Sequence, residues 1–198
     1  GLCLVGSEMC IRDRVYEIPE GSKTSKGRAI QNIINLPKDD KIMAYINTKD
    51  LKDEEYINSH FIMMCTKKGV VKKTSLEAYS RPRTNGINAI TIREGDQLLE
   101  AKMTTGNSHI MMAVKSGKAI HFEEEKVRSM GRTAAGVRGI RLANDTDEVV
   151  GMICIEDTTS SVLVVAENGY GKRSAVEDYR ITNRAVSYTH LTLPTNCV

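Results

Sequence analysis

The sequence has no tryptophan and only two phenylalanines among its 198 residues. A core built from it is therefore aliphatic, and nine methionines share the filling with Ile, Leu and Val. No apolar run approaches the ~20 residues that a bilayer-spanning helix needs, so no stretch reads as a membrane partner. None of the five cysteines belongs to a C-x-x-C pair, which argues against a zinc site. Cys65 and Cys154 fall in apolar runs and read as buried thiols, as expected in a reducing, cytoplasmic compartment. No G-x-x-x-x-G-K-[ST], H-E-x-x-H or G-x-S-x-G motif is present, and Gly169-Tyr170-Gly171-Lys172 is too short to cradle a phosphate. The tyrosines have no adjacent base to activate them, and His109 and His121 sit in strand-like patterns that suit structural roles. No residue is assigned to catalysis or to a metal.

What is present is a repeat. Residues 61–74 form an apolar run, a turn at Gly69 and a second run carrying Lys72 and Lys73. The same grammar returns at 109–122 around Gly117 and at 161–174 around Gly169, spacings of 48 and 52 residues. Short apolar runs rich in β-branched residues suit buried strands, and a turn glycine supplies positive φ without a Cβ clash. Each copy therefore reads as a β-hairpin, with Asn168-Gly169 the strongest turn signal.

The rest of each unit can be phased from these hairpins. Gly27, Gly86 and Gly136 each follow a short polar junction, and the latter two open alternating runs at 87–92 and 137–142. Acidic turns follow at 37–40, 94–96 and 144–147, then strands at 42–46, 98–103 and 149–155, then the hairpin. Units close on short helical turns at 75–79, 123–127 and 175–179, and residues 51–59 are an acidic insertion in the first. Four strands per ~50 residues is the period of propeller blades. The expected fold is all-β: a repeat of four-stranded blades in a partial ring of about three blades, spanning residues 15–184. Residues 1–14 and 185–198 have no counterpart in the repeat, look like translated adapter sequence, and are expected to be extraneous tails.

Charge follows the repeat. Basic residues flank the hairpin turns: Lys67, Lys68, Lys72, Lys73, Lys115, Lys118, Lys172 and Arg173. They recur at the junctions: Arg81, Arg83, Arg128, Arg132, Arg138, Arg141, Arg180 and Arg184. Acids gather in other phases, apart from the block 123–125. Equal phase on radial blades means equal position on the ring, so these cations are expected to form one stripe that neutralises the phosphates of a bent duplex. With few aromatics in the basic runs, stacking on single strands is not expected.

Met130-Gly131-Arg132-Thr133-Ala134-Ala135-Gly136-Val137-Arg138-Gly139-Ile140-Arg141-Leu142 and Glu167-Asn168-Gly169-Tyr170-Gly171-Lys172-Arg173-Ser174 carry a resemblance to a known family. With residues 15–28 they resemble the C-terminal domain of the bacterial DNA gyrase A subunit, over residues 15–184. The resemblance implies a β-pinwheel whose basic rim wraps duplex DNA in support of ATP-dependent negative supercoiling by a type IIA topoisomerase. It implies no cofactor in this piece, with ATP and Mg used by other parts of the enzyme. It also implies partnership with a second A subunit together with a gyrase B subunit. The family's Gln-Arg-Arg-Gly-Gly-Lys-Gly box and last blades have no match here, so this piece is expected to bind DNA weakly and to wrap it incompletely. The A subunit of topoisomerase IV, which shares the blades, and a propeller used for protein interaction are the alternatives.

Overall fold

The computed structural model describes residues 2–5, 9–12, 19–29, 41–81, 83, 86–185 and 189–190. The first acidic turn, 37–40, and residues 15–18 and 84–85 lie outside the described residues. The fold is all-β and forms an open arc of sheets. Its strands are β1 (Leu2–Val5), β2 (Met9–Arg12), β3 (Ile42–Ile46), β4 (Phe61–Thr66), β5 (Val70–Ser75), β6 (Ile87–Asn88) and β7 (Leu98–Thr104). They continue as β8 (His109–Val114), β9 (Lys118–Glu123), β10 (Val137–Arg138), β11 (Val149–Ile155), β12 (Ser161–Val165), β13 (Gly171–Ala175) and β14 (Thr189–His190). The acidic insertion folds as a short helix, α1 (Glu54–Ser59). Asp53 caps it by accepting from the Glu55 and Tyr56 N–H groups, and Ile57 reaches the core.

The hairpins form as the apolar runs and glycines dictate. Gly69, Gly117 and Gly169 have φ of 81°, 79° and 84°, and each N–H closes its turn on Thr66, Val114 or Ala166. The segment after each hairpin winds into a short 3₁₀ turn, at Leu76–Tyr79, Glu124–Lys126 and Val176–Asp178. Each turn starts from an equivalent backbone bond, from Leu76 to His60, Glu124 to Ser108 and Val176 to Ser160.

The pairing of strands departs from the expectation that one unit makes one blade. The sheet orders are β3-β1-β2-β6, β10-β5-β4-β7 and β11-β8-β9-β14, with β12-β13 as a two-stranded sheet. Each four-stranded sheet takes its central hairpin from one unit, one edge strand from the next and the other edge strand from the unit after that. The named strands are those read from the pattern, but their partners lie one and two units away. The alternating runs 87–92 and 137–142 are strands only at Ile87–Asn88 and Val137–Arg138. The two terminal segments set apart from the repeat also enter the sheets. β1 and β2 stand where β4-β5 and β8-β9 stand in the next sheets, and β14 pairs with β9. The physical reason is that any extended segment can satisfy the backbone groups of sheet edges that would otherwise be bare.

Burial explains why the hairpin runs are continuously apolar. Ile62 and Met64 of β4 enter one core with Ala44, Ile46, Ile90 and Leu98, while Met63 and Cys65 enter the next with Ile110, Met112, Val149 and Met152. The β4-β5 and β8-β9 sheets are thus covered on both faces by their neighbours, and alternation is lost there, whereas β12 keeps an alternating pattern of burial. Cys65 is buried and Cys154 half-buried, both as free thiols. β7 packs against both β3 and β11. The strands β3, β7 and β11 therefore face one another along the inside of the arc, which leaves β6, β10 and β14 along its outside.

Candidate nucleic-acid interface

The outer edge is made by the junctions, and glycine lets them close on the hairpin. Gly136 has φ of 92°, and a Cβ there would lie 2.6 Å from the Val71 carbonyl oxygen. A Cβ on Gly139 would meet Val71 at 2.7 Å and the Met112 sulfur at 2.8 Å. Val137 and Arg138 can then pair with Val71 and Val70, and the Gly139 and Ile140 N–H groups can bond to the Gly69 carbonyl. Further back, Ser129 bridges to Lys73, as Ile181 bridges to His121 one unit later.

Successive junctions also bond to one another. The Thr91 N–H donates to the Ala134 carbonyl and its hydroxyl to that of Thr133, the latter at 2.8 Å. The Ala185 N–H donates to the Gly139 carbonyl, and the Arg184 Nη1 to that of Arg138 at 2.8 Å. The junctions therefore form a laterally continuous belt along the outside of the arc.

Most of the candidate arginines sit on this belt. Arg81, Arg83 and Arg132 line one open cleft of about 730 Å³ with Ser80, Asn88 and Thr133, with Glu77 as its acid. Lys68, Arg93, Arg138 and Arg184 line a second of about 530 Å³, together with Glu94 and Asp96. Arg128, Arg141 and Arg180 are exposed. Arg128 and Arg180 hold equivalent places, each just before the residue that bridges to the hairpin of the preceding unit, at Lys73 and His121. Arg93 belongs to the second cleft and is absent from the candidates. Its place directly after the alternating run, facing the turn of the previous hairpin, was the available signal.

Two candidates are corrected outright. Lys72 and Lys73 are buried, at 0% and 7% exposure, and cannot meet a polyanion outside. The Lys72 Nζ donates to the Ala89 carbonyl at 2.6 Å and also to that of Arg132. Desolvation, and behind it the Arg132 charge, lowers its pKa to about 8. Lys73 Nζ lies 2.9 Å from the Glu124 Oε1 and 4.3 Å over the Phe61 ring. Glu124, fully buried, accepts further bonds from the Thr104 hydroxyl and the Ser108 N–H. These lysines are inside because adjacent residues of a strand point to opposite faces, and both faces of β5 are covered.

Lys172 and Arg173 hold the equivalent places in β13 and are exposed, in a sheet that has two strands instead of four. Lys118 is half-buried and Lys115 exposed.

The separation of acids from bases is also less complete than expected. Asp96 accepts from the Lys68 N–H at 3.0 Å, and Asp147 from the Ser116 N–H at 3.0 Å and its hydroxyl at 2.8 Å. Lys67 pairs with Glu148 at 3.9 Å. The acidic turns thus cap the hairpin turns of the preceding unit, and the rim at the turns carries both signs. The junction belt is where positive charge dominates.

An arc of sheets that exchange strands between successive units, with an arginine-bearing outer belt, is an array of the propeller class. The chain belongs to the family described as DNA gyrase C-terminal domain, beta-propeller, whose model matches residues 9–49, 60–104, 108–156 and 160–187. It is 42% identical over 172 residues to the DNA gyrase A subunit of Salmonella typhimurium, covering 87% of this chain and 19% of that protein. It is 44% identical over 170 residues to the DNA gyrase A subunit of Staphylococcus epidermidis, covering 85% and 18%. The chain thus spans about a fifth of the length of these relatives.

Among solved structures, the C-terminal domain of DNA topoisomerase IV superposes with a TM-score of 0.85 at 25% identity, over 98% of this chain and 59% of that one. The DNA gyrase A C-terminal domain superposes with a TM-score of 0.75 at 23% identity, over 92% and 56%. The second likeness speaks for the fold alone.

Proposed function

We propose that this chain is the DNA-binding and DNA-wrapping part of a DNA gyrase A subunit. The observation that carries the reading is the junction belt, which gathers Arg81, Arg83 and Arg132 in one cleft and Arg138 and Arg184 in the next, along the outside of a curved array. Guanidinium groups there neutralise duplex phosphates and release counterions, which gives affinity without reading sequence. Curvature of the arc bends the duplex around it.

In the whole enzyme, a type IIA topoisomerase of the cytoplasm, this module presents bound DNA for strand passage that introduces negative supercoils. ATP hydrolysis, Mg²⁺ and cleavage chemistry belong to other parts, including a B subunit together with a second A subunit. The higher TM-score to the topoisomerase IV domain favours a second reading, the A subunit of that enzyme. The 42–44% identity to gyrase A subunits favours the first.

The test is electrophoretic mobility of a linear duplex across a salt series. Four to five phosphate contacts give a slope of log K against log salt of about −4. Arg81→Glu with Arg83→Glu weakens binding on every sequence alike and flattens the slope by about 2. An affinity that ignores salt refutes the reading.

A further inference from the structure

Lys72 is a buried cation held by the backbone: its Nζ donates to two carbonyls, those of Ala89 and Arg132. Those carbonyls belong to two different junctions, the one that directly follows the β4-β5 hairpin and the one that follows β8-β9. The Tyr79 hydroxyl supports the first by donating to the same Ala89 oxygen at 3.2 Å. The junctions joined in this way carry Arg81, Arg83 and Arg132, whose side chains share one cleft. Burying an ammonium costs stability, and an apolar residue of the same length fits a strand of this kind at no such cost. The next hairpin does this: its equivalent residue is Ile120, also buried. There the lateral tie is made instead by Arg184, which donates to the Arg138 and Lys126 carbonyls at 2.8 and 2.7 Å.

We infer that Lys72 is a positioning residue for the arginine cleft, a buried ammonium that fixes the spacing of two junctions so that three guanidinium groups meet one run of phosphates. It touches no DNA itself. The inference rests on the DNA-binding reading above and deepens it: the cation nearest the core sets the geometry of the cations on the surface. A polyanion with regularly spaced charges rewards fixed guanidinium groups, because less conformational freedom is lost for each contact made.

The experiment uses the full chain carrying Lys72→Met, with Ile120→Ala as a control that destabilises the core but breaks no junction bond. Lys72→Met is expected to accelerate hydrogen exchange at the Thr91 and Ala134 amides, which lie in the two junctions, and to leave the β8-β9 hairpin protected. It is expected to flatten the salt slope of duplex binding by about 2, the signature of roughly two lost phosphate contacts. Ile120→Ala is expected to leave the slope as in the parent. An unchanged slope and unchanged exchange in Lys72→Met overturn the inference. So does a control that flattens the slope equally. If Lys72→Met has no cooperative melt, Lys72→Gln takes its place, keeping two N–H donors on a shorter stem. Failure of both to fold assigns Lys72 to global stability and overturns the inference as well. A parent chain that binds DNA without salt dependence sinks the DNA reading instead, and the exchange data still decide whether Lys72 holds the junctions.

Discussion

Lys73→Met separates an inside lysine from an outside one. Lys73 and Glu124 are 2.9 Å apart with side-chain exposures of 8% and 0%, so the pair is shielded from water and from salt. Removing the ammonium leaves the carboxylate with the Thr104 hydroxyl and the Ser108 N–H but no opposite charge. Breaking a buried pair from one side costs about 3–5 kcal/mol, and loss of the cation over Phe61 adds about 1. Methionine keeps the packing of the stem, so no cavity term is added. Against a total stability of roughly 5–15 kcal/mol, and at about 2–4 °C per kcal/mol for a chain of this size, the melting temperature falls by about 8–24 °C. Calorimetry and urea unfolding followed by circular dichroism measure it. Adding Glu124→Gln removes the stranded charge and recovers about half of the loss. Duplex affinity and its salt slope, measured well below both melting points, stay at the parent values. A melting shift under 2 °C joined to a clear loss of DNA affinity shows Lys73 reaching solvent, and the burial argument is then wrong.

Three further outcomes follow from the same contacts. Gly136→Ala puts a Cβ 2.6 Å from the Val71 carbonyl oxygen at a φ of 92°, and is expected to lower stability by at least about 2 kcal/mol in denaturant titration. Asp147→Ala removes the acceptor of the Ser116 N–H, the Ser116 hydroxyl and the Glu148 N–H, and costs about 2 kcal/mol, with faster amide exchange confined to the turn at Gly117. Burial is the main cause that lowers the pKa of His121 below 6.5, helped by His109 and opposed by the Tyr179 carbonyl and Glu123. The unfolded chain therefore binds this proton first, so stability falls as pH drops below about 6.5. His121→Gln flattens that limb in a series of urea midpoints against pH.

Much of the architecture was legible because it is local. A continuous apolar run, a glycine and a fixed distance to the next acidic turn locate β4-β5, β8-β9 and β12-β13 and the 3₁₀ turns behind them. Partnership was not legible. Nothing in Leu98–Thr104 says whether it pairs with the hairpin before it or the one after it, since both offer an apolar edge.

The candidate site divides in the same way. The arginines of the junctions fall on the outer belt because Gly136 and Gly139 allow that segment to close against the hairpin. Charge and repeat phase together place Lys72 and Lys73 on the rim. Yet two neighbouring strand residues face opposite ways, and a hairpin whose sheet is packed on both faces leaves no wet face for either. Asp96 and Asp147 were read as a separate acidic phase, because a carboxylate that caps a turn in another unit leaves no mark in its own neighbourhood.

Borrowing strands from later units also sets a timetable for synthesis. The β4-β5 hairpin ends at Ser75, but its last neighbour, Val137–Arg138, comes about sixty residues later. At ~5–20 residues per second on the ribosome, the free side of Val70–Ser75 stays uncovered for roughly 3–12 s. During that interval Lys72 and Lys73 put two positive charges on an otherwise sticky strand, guarding the nascent chain against pairing with its neighbours.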